Sequence, residues 1–172
     1  LLATACIVVD PETEALAAIK QFCEERGKDD APNAAYMALL IGLLEHEDAM
    51  FRREASRALG CAKEVNDELV QALALRLSDP DPLVREAACL TLGSYGEASS
   101  SAIDGIAELA QSGIYTDRLT AFTALEQMGS ESIPALTVLS QSSESAVSDR
   151  AAGLLRKLAE SVVTPPSGEA RT

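Results

Sequence analysis

One histidine, four cysteines and a scatter of paired carboxylates are the side chains of this 172-residue sequence that could do chemistry. His46 stands beside Glu47 in a polar turn between two apolar runs, where a solvated side chain is expected. A metal centre needs several converging ligands, and a sequence with one imidazole has no second to offer. A Ser-His-Asp set would depend on the same turn residue. Cys6, Cys23, Cys61 and Cys89 lie in helical stretches and lack the CxxC spacing of zinc sites and redox pairs. Cys89 has no evident base to activate it and reads as a small packing residue. Asp79 and Asp81 flank Pro80 and read as turn and cap residues rather than a hydrolytic pair. No Gly-rich phosphate loop occurs. These residues point to recognition rather than catalysis, with no cofactor and no metal.

The composition narrows what is recognised. A formal net charge of −13 argues against nucleic acid, because phosphate binding needs a basic stripe that releases counterions. An anionic membrane surface is disfavoured for the same reason, and no apolar run approaches the roughly 20 residues of a transmembrane span. The chain is 47% hydrophobic but only 3% aromatic, so its bulk comes from Ala and Leu, which favour helices. Reduced, packed thiols favour the cytoplasm. Leu1 to Val9 is almost wholly apolar without a capping polar face, which fits a chain that begins inside a larger protein. Leu2 to Cys6 loosely resembles the end of a lipoprotein signal but lacks its charged region and long apolar run.

Helix punctuation positions these residues. Asp81-Pro82 is a helix start, with the carboxylate as N-cap and proline at the first helical position; Asp10-Pro11 repeats it. Val84, Ala88 and Leu92 recur at helical spacing, and Gly93 is expected to end that helix. From the start, a helix carries Ala15, Ile19, Phe22 and Cys23 on one face up to Gly27, and Lys28 to Pro32 is a linker. Further helices are expected over 33–44, 49–60, 67–77, 102–110, 115–128, 132–140 and 145–160, with 98–101 a serine-rich loop and 161–172 a disordered tail. Gly129 should end the helix over 115–128, and Pro134 is tolerable within a first turn.

Repetition organises these elements. Arg52, Arg85 and Arg118 follow one another at intervals of 33 residues. Three residues after each stands alanine (Ala55, Ala88, Ala121), and seven after stands leucine (Leu59, Leu92, Leu125). A fourth copy around Val147-Ser148 keeps Ala151 and Leu155 but loses the arginine, and a degenerate copy covers the first residues. Such a repeat is a stack of helical hairpins, each burying its apolar face on its neighbours. Asp48 with Arg52, and Asp81 with Arg85, stand four apart on one helix face and are expected to pair, so these arginines clasp turns rather than a ligand.

Phe51 to Gly60 and Asp81 to Gly93 resemble HEAT repeats, of the short type also found in phycobilin lyases. The resemblance covers residues 33–158 well and 1–26 poorly. It departs at Asp117, where an apolar residue is expected before the arginine, and at Ser148. It implies an all-α solenoid of four to five stacked HEAT-like hairpins over residues 1–160, with second helices lining a concave, protein-binding surface. Deoxyhypusine hydroxylases of similar repeat type hold di-iron through His-Glu pairs on second helices. This chain has Arg53-Glu54 and Glu86-Ala87 there, so that chemistry does not carry over.

On second helices, the positions one and five after each arginine should face the concavity: Arg53 and Arg57, Glu86 and Leu90, Leu119 and Thr123, then Asp149 and Gly153. The expected site is a groove with an apolar centre at Leu90 and Leu119 and a basic end at Arg53 and Arg57. It suits an extended or helical protein segment carrying an acidic residue. The competing reading packs both leucines on adjacent units. The sequence thus reads as a non-enzymatic interaction scaffold or adaptor for a protein or peptide partner. The alternatives are a phycobilin lyase or chaperone-like subunit, which would deliver a tetrapyrrole to a partner's cysteine, and a structural segment of a longer repeat protein.

Overall fold

The computed structural model describes residues 34–62 and 64–163, together with Ala17 and Ile19. These residues form helical hairpins: α1 (Ala34–Leu43) with α2 (Ala49–Leu59), α3 (Asp67–Leu75) with α4 (Pro82–Ser94), α5 (Ile103–Ala110) with α6 (Tyr115–Met128), and α7 (Ile133–Leu139) with α8 (Ser145–Val163). Among the described residues, 3₁₀ turns over Arg76–Ser78, Gly96–Ala102 (kinked at Ser99) and Gly129–Ser132 tighten the connections. Ala17 and Ile19 are helical, and Ile19 is buried in the core. The rest of the early helix, the linker over 28–32 and residues 164–172 of the tail lie outside the described residues, whereas α8 runs three residues past the boundary expected at 160. Among the described residues no helix is long and apolar enough to cross a membrane.

The repeat residues make the stack. Ala55, Ala88, Ala121 and Ala151, and with them Leu59, Leu92 and Leu125, are all fully buried. The alanines lie in second helices, which pack side by side along α2, α4 and α6. Small side chains bring those axes close, and the first helices touch one another less. The second helices α2, α4 and α6 thus form the more closely packed, inner layer of the stack. The hairpins share one continuous core, running from Leu40, Phe51 and Leu69 through Ile106 to Leu136.

The arginines do more than clasp their own turns. Arg52 donates through Nη1 to the carbonyls of His46 and Glu47 in its own hairpin, at 2.8 Å each. Its Nε and Nη2 reach into the next hairpin and bind both oxygens of Asp79, again at 2.8 Å. Arg85 repeats this arrangement, donating to the carbonyls of Asp79 and Pro80 and binding Asp117 bidentately at 2.9–3.1 Å. Arg118 donates to the Ser112 carbonyl and to Glu144 at 2.7 Å. The expected pairs within one helix give way to a ladder between hairpins. Asp48 and Asp81 are not salt-bridge partners but N-caps, accepting from the N–H groups of Met50 and of Leu83 and Val84.

The ladder explains the irregular residue at 117. Ser112 occupies the position that Asp79 holds one unit earlier, so the third hairpin lacks that carboxylate. Asp117, only 4% exposed, supplies it from the first turn of α6 and accepts from the Ser112 hydroxyl at 3.2 Å. His46 is likewise not a solvated side chain. It is half-buried with its ring 4.4 Å from that of Phe51, and its Nδ1 accepts from the Asp48 N–H. Two further bonds tie α4 to α2: the Thr91 hydroxyl donates to the Ser56 carbonyl, and the Tyr95 hydroxyl to that of Leu59. The serine-rich stretch forms two 3₁₀ turns separated by a kink at Ser99, whose buried hydroxyl donates to the Leu92 carbonyl.

Burial disfavours a charged Asp79, but the Arg52 hydrogen bonds, the Asp81 N–H and the charges of Arg52 and Arg76 outweigh it and hold its pKa below the ordinary value. A carboxylate with a folded pKa below its unfolded one stabilises the fold above about pH 4, and that contribution disappears as pH falls through the folded value. Stability should therefore fall on the acid side, and Asp79→Asn should flatten that limb. In urea melts at neutral pH, Asp79→Ala should cost about 3 kcal/mol or more, because it strands a buried guanidinium. Glu144→Ala, at an ion pair whose carboxylate is half exposed, should cost less than about 1 kcal/mol.

Candidate functional site

The inner layer of second helices carries the expected site residues. Between α2 and α4 a cavity of about 310 Å³ is lined by Arg53, Arg57, Leu83, Glu86, Ala87, Leu90, Thr91 and Ser94. Four of the eight expected residues thus meet in one groove. Its base is made of small side chains, Ala87 and Thr91, and the Thr91 hydroxyl is turned away to bond the Ser56 carbonyl. Leu83 is 48% exposed at the rim, whereas Leu90 is half-buried, so the apolar lining extends to a residue that the repeat pattern did not single out.

The two basic residues differ. Arg53 is bound to Glu54 on its own helix at 2.8 Å, and both side chains are about one third exposed. Arg57 is exposed in the last turn of α2 and bonds no carboxylate among the described residues. A guanidinium in that state keeps its planar fork of donors free for a carboxylate from outside.

Leu119 and Thr123 do not join this groove. Leu119 lines a second cavity of about 170 Å³ between α6 and α8, with Tyr115, Arg118, Phe122, Ala146 and Arg150. Thr123 borders neither; its hydroxyl bonds the Leu119 carbonyl. The single apolar centre expected at Leu90 and Leu119 is therefore divided, and the cause is Gly93. That glycine does not end α4, which continues to Ser94; Gly96, with φ +57°, follows the break. A Cβ at Gly93 would lie 2.7 Å from the Ala124 Cα. The absent side chain lets α4 and α6 meet backbone to backbone, which closes the layer between the two grooves.

Residues 36–121, half of the sequence, match the sequence profile of HEAT repeats. The chain belongs to the HEAT-repeat family. This HEAT-repeat chain is also similar to a chain in the complex of CpcE and CpcF of phycocyanin lyase from Nostoc sp. PCC7120. The TM-score is 0.63 at 25% identity, over 90% of this chain and 62% of that one. An engineered protein shares the fold at 23% identity with a TM-score of 0.57, covering 89% of this chain and 76% of its own. No curated protein sequence matches. The chain thus spans about 62% of the length of the phycocyanin lyase chain it is similar to.

Cys89 and Tyr95 are placed for packing. Cys89 is fully buried, and burial, assisted by the Asp117 charge, pushes its thiol up to about 12, so it stays protonated near neutral pH. Burial likewise raises the Tyr95 phenol, which donates to the Leu59 carbonyl. Among the described residues no three His, Cys, Asp or Glu side chains gather as metal ligands would.

The seam at Gly93 has a direct test. Helix propensity alone favours Gly→Ala by about 1 kcal/mol. Gly93→Ala should nonetheless lower the melting temperature, because the new methyl meets backbone that cannot yield. Gly153→Ala, in α8 with nothing within 4 Å of the added Cβ, should raise it. Thermal unfolding followed by circular dichroism separates the two signs.

Proposed function

We propose that this HEAT-repeat chain is a non-enzymatic binding module that holds a segment of a protein partner against the inner face of its second helices. The observation that carries the reading is the groove between α2 and α4. There an unpaired guanidinium, Arg57, stands beside Leu83 and Leu90 in a chain whose net charge is −13. A solvated, purely repulsive surface would place carboxylates there. The groove's volume is at the lower limit of the roughly 300–1,000 Å³ usual for small-molecule sites, and it suits side chains presented by a partner. Glu86 on the α4 side gives the groove a polarity, with an acidic residue of the partner directed to Arg57.

The likeness to the phycocyanin lyase chain favours a second reading, a subunit of a bilin-handling lyase. Change in bilin absorbance on mixing with the protein would support it.

Affinity capture from the native source, followed by mass spectrometry, tests the first reading. A partner retained by the wild type should be lost with Arg53→Glu combined with Arg57→Glu, and its affinity should fall at least about ten-fold with Arg57→Glu alone. Undiminished capture by a folded double variant would dispose of the groove.

A further inference from the structure

The inner face carries a second unpaired guanidinium. Arg150 on α8 is exposed, lines the cavity that holds Leu119, and bonds no carboxylate among the described residues. It also borders a further depression of about 380 Å³ with Glu126, Asp149, Gly153, Leu154 and Lys157. The acidic side chains there are not equivalent. Glu126 is bound by Lys157, and Asp149 is exposed beside Arg150 in sequence. Arg118, which also lines the Leu119 cavity, is engaged by Glu144. Each end of the inner face therefore has an apolar shelf with one free guanidinium: Leu83 and Leu90 with Arg57, and Tyr115 and Leu119 with Arg150. Tyr115 and Leu119 are 69% and 47% exposed, a large apolar surface for an acidic chain. The closed contact of Gly93 with Ala124 lies between the two shelves.

We infer that the two shelves form one bipartite site, occupied by a single extended peptide segment that places an acidic and an apolar residue on each shelf and bridges the seam between α4 and α6. The inference rests on the groove reading and extends it to the specificity of the partner. Three helix-to-helix steps separate α2 from α8, roughly 25–30 Å at the usual 8–10 Å spacing. An extended chain covers that in about eight or nine residues. Charge complementarity selects the occupant: two fixed cations, well apart, in a field that otherwise repels acids. A segment with one acidic cluster can satisfy only one of them. A segment with two gains from tethering, since the second contact forms at the high effective concentration set by the first.

A displayed library of random peptides about a dozen residues long supplies the probe. It is selected on the wild-type chain, and the winners are measured by fluorescence anisotropy against wild type, Arg57→Glu and Arg150→Glu. Both arginines are exposed, and unchanged melting temperatures establish that the variants fold. The expected winners carry two acidic-apolar clusters about eight residues apart and lose at least about ten-fold in affinity with either variant. Their half-length versions bind at least about ten-fold more weakly than the whole. Winners sensitive to Arg57→Glu alone, or no weaker when halved, would keep the α2–α4 groove and overturn the bipartite site. Winners sensitive to Arg150→Glu alone, or to neither, would overturn both.

Discussion

The structure depends on a guanidinium held between two hairpins. A HEAT-type hairpin has too little apolar surface to stand alone, and apolar packing along a stack is tolerant of sliding. The arginine removes that tolerance. Arg52 takes the two carbonyls that open its own second helix and both oxygens of Asp79 in the next hairpin, so one planar group fixes four acceptors in two units. Fork-to-fork geometry has a narrow angular range, and burial strengthens it. The spacing of 33 residues places the next arginine to repeat the arrangement. The ladder weakens toward the later repeats, from two buried bidentate pairs to the single bond of Arg118 to a half-exposed Glu144.

Much of this was legible in the sequence because the repeat is a physical unit. The period, the buried Ala and Leu positions, the cap at Asp81, and the end of α6 at Gly129 all followed from local rules that the tertiary structure had no reason to override. The arginine's partner was not legible. A side chain four residues away on the same helix is the nearest candidate on paper, whereas the real one lies 27 or 32 residues away, across a contact that only the stack creates. Asp117 shows the cost of judging a repeat by its consensus. It looks like a defect at an apolar position, and it replaces the carboxylate that Ser112 lacks. Gly93 was misjudged for a related reason: a glycine near the end of an apolar run looks like a stop, and only the neighbouring helix reveals that it is a contact.

The candidate site inherits this division. Arg53, Arg57, Glu86 and Leu90 fall on one groove because repeat phase puts equivalent residues on one face. Leu119 shares the phase but not the groove, because at Gly93 the helices α4 and α6 meet backbone to backbone and leave no space between them. A surface built from repeats is thus periodic in direction and aperiodic in depth. The net charge of −13 adds a background against which the free guanidinium groups of Arg57 and Arg150 stand out. The same chain that spends Arg52, Arg85 and Arg118 on its own carbonyls and carboxylates leaves these two without one.

The most direct measurement is a double-mutant cycle on Arg85 and Asp117, with Arg85→Ala, Asp117→Ala and the double variant unfolded in urea beside the wild type. If the guanidinium bridge between hairpins holds the stack in register, the two residues should be coupled by about 1.5 kcal/mol or more, with each single variant nearly as unstable as the double. A coupling near zero, with the two losses simply adding, would mean that the hairpins are aligned by apolar packing alone and that the arginine ladder is incidental.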